Sequence, residues 1–332
     1  MRTLERHYEQ LRDWKFVQDC QAIDITGAAK WFYEESDQDA WDLCADYPMV
    51  TPPFECTWLE YGNIGFVRAN GKIKEEHRDN RDGRMAMAIL TMRFEPEHQR
   101  MALEQDVMRP ILGGFLGKRQ RIPDRQDLTE HRLALAEALE RGQLPKWGIA
   151  CLVFADLKKS SRLMELGAAY FYLDSHGQPI TTGAVPIVPM GPMRELAQRP
   201  GQGAAAADAI ISGIHPFFFA LSLMNAKNVS LVDAPLPLKV AAKRGRSGKT
   251  VLSFKTLHIE PMKARARSEA TTGESHLRRA LHICRGHFKD FREGPGLFGK
   301  YKGLYWWDSQ VRGTDESGRI IKDYSLGSPQ GP

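Results

Sequence analysis

The segment Trp147 to Leu157, WGIACLVFADL, is apolar almost without interruption. A strand with one wet face alternates apolar and polar residues, whereas a strand covered on both faces can be apolar throughout. The run therefore predicts a buried strand of a covered sheet, and the rest of the chain must supply the cover.

The flanking sequence fits that demand. Ala168 to Leu173 is followed by Asp174-Ser175-His176-Gly177, a turn cluster that folds the chain back on Ile180 to Val188. Further strand-like runs lie at Thr57 to Tyr61, Ile64 to Ala69, Arg84 to Phe94, Val229 to Val232 and Thr250 to Ile259, with Asn70-Gly71 as a hairpin signal. Helices are expected where apolar residues recur every three or four positions. Leu4, Tyr8, Leu11, Trp14 and Val17 mark one between Arg2 and Cys20. Others are read at Thr26 to Glu35, at Asp127 to Arg141 before Gly142, and at Ala204 to Asn225. In the last, Pro216 should kink or restart the helix, and Phe217-Phe218-Phe219 require burial. The predicted class is α+β: a mixed sheet of several short strands between 54 and 260, packed by helices.

Composition adds exclusions. At 332 residues, 42% hydrophobic and 26% charged, the chain is neither collagen-like, coiled-coil nor wholesale disordered. It holds no uninterrupted apolar run of about 18 residues, so a cytoplasmic protein without a membrane partner is expected. Cys20, Cys44, Cys56, Cys151 and Cys284 are scattered with no Cys-x-x-Cys pair, which signals neither a disulfide framework nor a zinc site. No metal and no cofactor is expected.

The net charge of +5 is unevenly distributed. Residues 239–312 hold 17 basic and 6 acidic side chains, a local +11, while 1–238 is mildly acidic and 313–332 nearly neutral. Three regions are read accordingly: an acidic α+β body over 1–238, a basic aromatic-rich segment over 239–313 that completes the same domain, and a polar tail over 314–332.

Within the basic segment, HLRRALHICRGHFKDF (276–291) runs into GLFGKYKGLYWWDSQVRG (296–313). Cations contact phosphates and flat rings stack on unpaired bases, so this interleaving suits single-stranded or irregular nucleic acid, DNA or RNA. Lys243, Arg244, Arg285, Lys289, Lys300, Lys302 and Arg312 are the expected phosphate contacts, and Tyr301 and Trp306 the expected stacking rings. Glycines at 294, 296, 299 and 303 keep the loops thin. The plainer alternative is that Leu304, Tyr305 and one tryptophan fill a core while the lysines face water.

His282 and His287 form the candidate catalytic pair of a second reading, a metal-independent nuclease or nucleotide-processing enzyme. If Ala280 to Phe288 is one strand, the two imidazoles point apart; a turn at Arg285-Gly286 would let them converge. A third reading is an interaction module for an acidic partner. Arg246-Ser247-Gly248-Lys249-Thr250 imitates the end of a phosphate-binding loop, but position 243 is lysine where that motif needs glycine. Glu60 sits among apolar residues; the ordinary expectation is an exposed edge carboxylate, the alternative a partly buried acid or base with a raised pKa.

The residues Arg285-Gly286-His287-Phe288-Lys289, Leu297-Phe298-Gly299-Lys300-Tyr301, Trp306-Trp307 and Val311-Arg312-Gly313 resemble the C-terminal region of a family of uncharacterised bacteriophage and prophage proteins. Pro52 to Tyr61, and Leu223-Met224-Asn225 with Asn228-Val229, are similar to earlier landmarks of that group. The resemblance implies a phage or mobile-element origin and carries over no catalytic residue.

Overall fold

The computed structural model describes residues 3–11, 20–35, 47–62, 68–69, 72–73, 83–116, 129–157, 161–180, 185–234, 242, 246, 253–260, 280–284, 286–297, 299–307, 310–312 and 314–319. The chain divides into two compact units, Met1–His258 and Ile259–Pro332.

The first unit is built on an eight-stranded sheet. In chain order its strands are β1 (Gln21–Asp24), β2 (Cys56–Gly62), β5 (Arg84–Arg93), β6 (Trp147–Asp156), β7 (Met164–Leu173), β8 (Ile187–Pro189), β9 (Val229–Asp233) and β10 (Phe254–Ile259). Their spatial order is β8-β7-β6-β5-β2-β1-β10-β9. Pairing is antiparallel from β8 through β2, and parallel between β2 and β1 and between β1 and β10. The sheet is thus mixed, and the chain is α+β as its sequence predicts. A short hairpin, β3 (Arg68–Ala69) with β4 (Lys72–Ile73), pairs across Asn70-Gly71.

Both faces of this sheet are covered, which explains why β6 is apolar along nearly its whole length. On one face Trp58, Ala86, Ala88, Leu152, Phe154 and Tyr170 form a core with Leu4, Leu11, Leu103, Met108, Leu112 and Leu135. The covering residues come from two single-turn helices, α1 (Thr3–Arg6) and α2 (Tyr8–Leu11), and from α4 (Pro96–Glu104), α5 (Met108–Leu116) and α6 (Thr129–Glu140). On the other face lie α3 (Thr26–Glu35) and α8 (Gly203–Met224), with α7 (Gly191–Ala197) leading into α8. There Phe217 meets Tyr61 at 5.2 Å, Phe218 meets Phe171 at 4.9 Å and Phe219 stacks on Trp31 at 4.9 Å.

Several expectations are revised. The N-terminal helix breaks at His7 into two turns; the rest of that expected helix, 12–19, lies outside the described residues. The chain runs through Pro216 as one helix of 22 residues instead of restarting, although proline leaves the Ser212 carbonyl without its usual donor. By length and composition this helix could cross a bilayer; here its second half, with Phe217, Phe218 and Phe219 fully buried, packs on the sheet. β1 has no counterpart in the sequence reading, yet it joins the two parallel pairs.

The second unit contains β11 (Ala280–Cys284), β12 (His287–Asp290), β13 (Leu304–Trp307), β14 (Gln310–Arg312) and β15 (Thr314–Arg319). β11 lies between β14 and β15 in a three-stranded sheet, and among the described residues β12 and β13 form a two-stranded one. Of the two alternatives for Ala280 to Phe288, the single strand does not form: the stretch is divided between two strands in two sheets. Of the basic segment, β10 enters the large sheet, whereas β11 to β15 form sheets of their own.

Candidate functional site

The hairpin of β12 and β13 carries most of the described candidate residues. Its antiparallel register sets His287 opposite Trp307, Phe288 opposite Trp306, Lys289 opposite Tyr305 and Asp290 opposite Leu304. Side chains alternate along a strand, so Phe288, Leu304 and Trp306 share one face and His287, Lys289, Tyr305 and Trp307 the other. On the first face Leu304 and Trp306 are both 2% exposed, and Phe288 meets Trp306 edge-on at 4.7 Å. Trp306 is therefore a core side chain, which corrects its expected role as a stacking ring.

On the opposite face Trp307 is partly exposed and Lys289 Nζ stands over its ring, 4.5 Å from the centroid. Phe291 and Tyr305 approach the same ring at 6.3 and 6.4 Å with interplanar angles of 58° and 74°. His287 is exposed.

The loop from Phe291 to Gly303 is closed by its own backbone. Phe291 N–H donates to Gly303 O at 2.8 Å and Gly303 N–H donates back to Phe291 O at 3.2 Å. Nearer the tip, Leu297 N–H donates to Tyr301 O at 2.8 Å and Tyr301 N–H to Leu297 O at 3.0 Å. Gly296 has φ +83°, and a Cβ there would stand 2.9 Å from the Tyr301 carbonyl oxygen, so the turn requires glycine. This scaffold leaves Lys300 and Lys302 exposed and Tyr301 half-buried. Arg292 is committed locally, its Nη2 lying 2.6 Å from Asp290 Oδ2.

Other candidates are placed by backbone alone or not at all. His282 and Arg312 are register partners across β11 and β14, and their side chains lie outside the described set. Lys243, Arg244 and Arg285 lie outside the described residues. His282 and His287 sit on different strands of different sheets, so the alternation argument for a single strand does not apply to them. The unit boundary also divides the basic charge. Residues 239–258 carry six basic and no acidic side chains, and 259–332 carry 13 basic and 9 acidic.

No family model, curated protein or solved structure matches the chain. Function must therefore be read from the side chains themselves.

In the first unit Glu60 is fully buried, which overturns the exposed-edge expectation. Its Oε1 accepts from Thr3 N–H at 3.1 Å and Arg84 Nη2 at 2.9 Å; its Oε2 accepts from Leu4 N–H at 3.1 Å and Trp58 Nε1 at 2.9 Å. Burial pushes the carboxyl above its ordinary pKa, with Arg84 and the hydrogen bonds opposing it. A carboxylate offers about four acceptor positions, and here four donors fill them. Glu60 is a structural anchor for the N-terminal turn, with no position left for a substrate.

Asp156, 2% exposed, anchors the next turn: it accepts from Arg6 Nη1 at 2.8 Å and lies 3.0 Å from His7 Nε2. A third cluster surrounds Asp106, which accepts from Tyr170 Oη at 2.7 Å and Tyr172 Oη at 3.0 Å and faces His131 Nε2 at 3.7 Å. Burial pushes the Asp106 carboxyl up, but the neighbouring His131 and the hydrogen bonds from Tyr170 and Tyr172 outweigh it and hold the pKa below the usual value. The sequence reading named neither cluster. The partners are far apart in sequence, and the one local cue is an aspartate just past a helix end, where glycine is common. Among the described residues no group of three His, Cys, Asp or Glu is placed to hold a metal ion.

Proposed function

We propose that the chain is a nucleic-acid-binding protein of bacteriophage origin that acts in the host cytoplasm through its C-terminal unit. Lys289, Lys300, Lys302, Arg285 and Arg312 of that unit contact phosphates, and Lys243 and Arg244 of the first unit are further phosphate contacts. The observation that carries this reading is the hairpin loop: Lys300 and Lys302 stand exposed on a backbone closed by reciprocal hydrogen bonds. A loop whose backbone is already closed adds no loop-ordering cost when a phosphate binds, and only the lysine side chains lose rotamer freedom.

Fluorescence anisotropy with labelled DNA and RNA over a series of salt concentrations tests it. Each phosphate contact contributes about 0.7 to 0.9 to the slope of log affinity against log salt. The Lys300→Glu, Lys302→Glu double variant should lower that slope by about 1 to 2. An affinity that stays flat with salt would sink the reading.

A further inference from the structure

Two adjacent tryptophans of the C-terminal unit have different work. Trp306 is committed to the core against Phe288, while Trp307 projects from the opposite face of the same strand and keeps part of its ring in water. Phe291 and Tyr305 meet Trp307 at steep angles, so they brace it from the side and do not stack on it in parallel. Above the ring stands the ammonium of Lys289, at 4.5 Å.

We infer that Trp307 is the stacking ring for an unpaired base of a single-stranded nucleic acid, and that the base takes the place held by the Lys289 ammonium. The inference rests on the nucleic-acid reading above and names the strand type that the site selects. A cation over an aromatic ring strengthens an interaction by about 2- to 5-fold where exposed and about 30-fold where desolvated, and Lys289 is half-buried, between the two. A base stacked on an aromatic side chain contributes about 5- to 150-fold. The base displaces the ammonium because the exchange adds a contact: the ring keeps a stacked partner and the freed lysine carries its charge to the phosphate of the same strand. In a duplex the bases are stacked on one another, so Trp307 has nothing to receive and only the lysines act. Trp307 is the ring that the composition of 288–307 called for and that Trp306, being buried, cannot be.

The test uses the full chain with a labelled oligothymidylate and a duplex of equal length, each titrated at several salt concentrations. Trp307→Leu should weaken single-strand binding by about 5- to 150-fold while leaving duplex binding and the salt slope unchanged. Trp307→Phe, which keeps a ring, should recover most of the loss. A single strand carrying iodouridine should, on irradiation of the unaltered protein, cross-link to the peptide that contains Trp307. Equal weakening on both substrates, no weakening on the single strand, or cross-links confined to other peptides would each overturn the inference. Failure of the nucleic-acid reading looks different, because the unaltered protein would then bind neither substrate or bind without salt dependence.

Discussion

Arg84 on β5 reaches diagonally across the sheet to Glu60 on β2, its Nη2 2.9 Å from Oε1 of a carboxylate that has no exposed surface. The residue directly opposite Arg84 is Gly62. A Cβ on Gly62 would stand 2.8 Å from Arg84 Cγ, so the missing side chain is the space through which the guanidinium passes.

Arg84→Met should destabilise the protein by about 3–5 kcal/mol, because it strands a buried carboxylate without its cation. Pairing it with Glu60→Gln should cost less than the two single changes added together. Urea denaturation of the two single variants and the double variant reads this coupling.

Gly62→Ala should act on the same ion pair without touching either charge. It forces Arg84 aside, so about 1–3 kcal/mol of stability is lost through crowding alone. In an Arg84→Ala background, where both the Cγ and the guanidinium are gone, Gly62→Ala should lose most of its effect.

Asp106 has φ +48°, an unfavourable conformation for an L-residue, at a helix end where Val107 N–H donates to Ala102 O and Asp106 N–H to Leu103 O. Asp106→Gly should relieve about 1 kcal/mol of backbone strain. It should also leave the buried Tyr170 hydroxyl without its acceptor, at a cost of about 1–3 kcal/mol. The net effect is loss of stability, larger for Asp106→Gly than for Asp106→Asn, which keeps an acceptor oxygen. Thermal unfolding of the two variants gives the ranking.

The same carboxylates tilt stability with pH in opposite directions. Asp106 has a lowered pKa, so its contribution is present above the unfolded value of about 3.9 and is lost as pH falls through the folded one. Glu60 has a raised pKa, so its contribution is full below the ordinary 4.5 and is lost as pH rises through the folded value. Urea midpoints measured across the acid range should show a shallower acid limb for Asp106→Asn. For Glu60→Gln, the decline on raising the pH above the ordinary glutamate range should disappear.

Trp306→Ala should cost the C-terminal hairpin about 3–5 kcal/mol, and Trp307→Ala clearly less, because its ring is partly in water already. Hydrogen exchange of the β12 and β13 amides reports the difference directly. Equal loss of protection in both variants would contradict the assignment of one tryptophan to the core and the other to the surface.

What could be read from sequence followed the range over which each signal is written. β6 was legible because burial on both faces is recorded residue by residue in an unbroken apolar run, and the triple phenylalanine of α8 announced its own burial. β1 was not legible, since four residues are too few to show a period and its strand character comes from pairing with β2 and β10. Trp306 and Trp307 are indistinguishable by composition; register with β12 decides which one is buried. Glu60 carried a local hint in its apolar neighbours, but its donors Thr3 and Leu4 lie 57 and 56 residues away. The link between His7 and Asp156 spans 149 residues and left no local trace.

The parallel pairing of β1 with β10 imposes an order on synthesis. Ala22 emerges from the ribosome early, but its partner Phe254 is made 232 residues later. At about 5–20 residues per second, that interval is roughly 10 to 45 s. Until then the nascent sheet can extend from β1 only through β2 toward β8, and the far edge of β1 stays an open template for other chains. Crowded polysomes, or a stall before residue 254, should therefore favour aggregation of a chain whose finished sheet closes that edge.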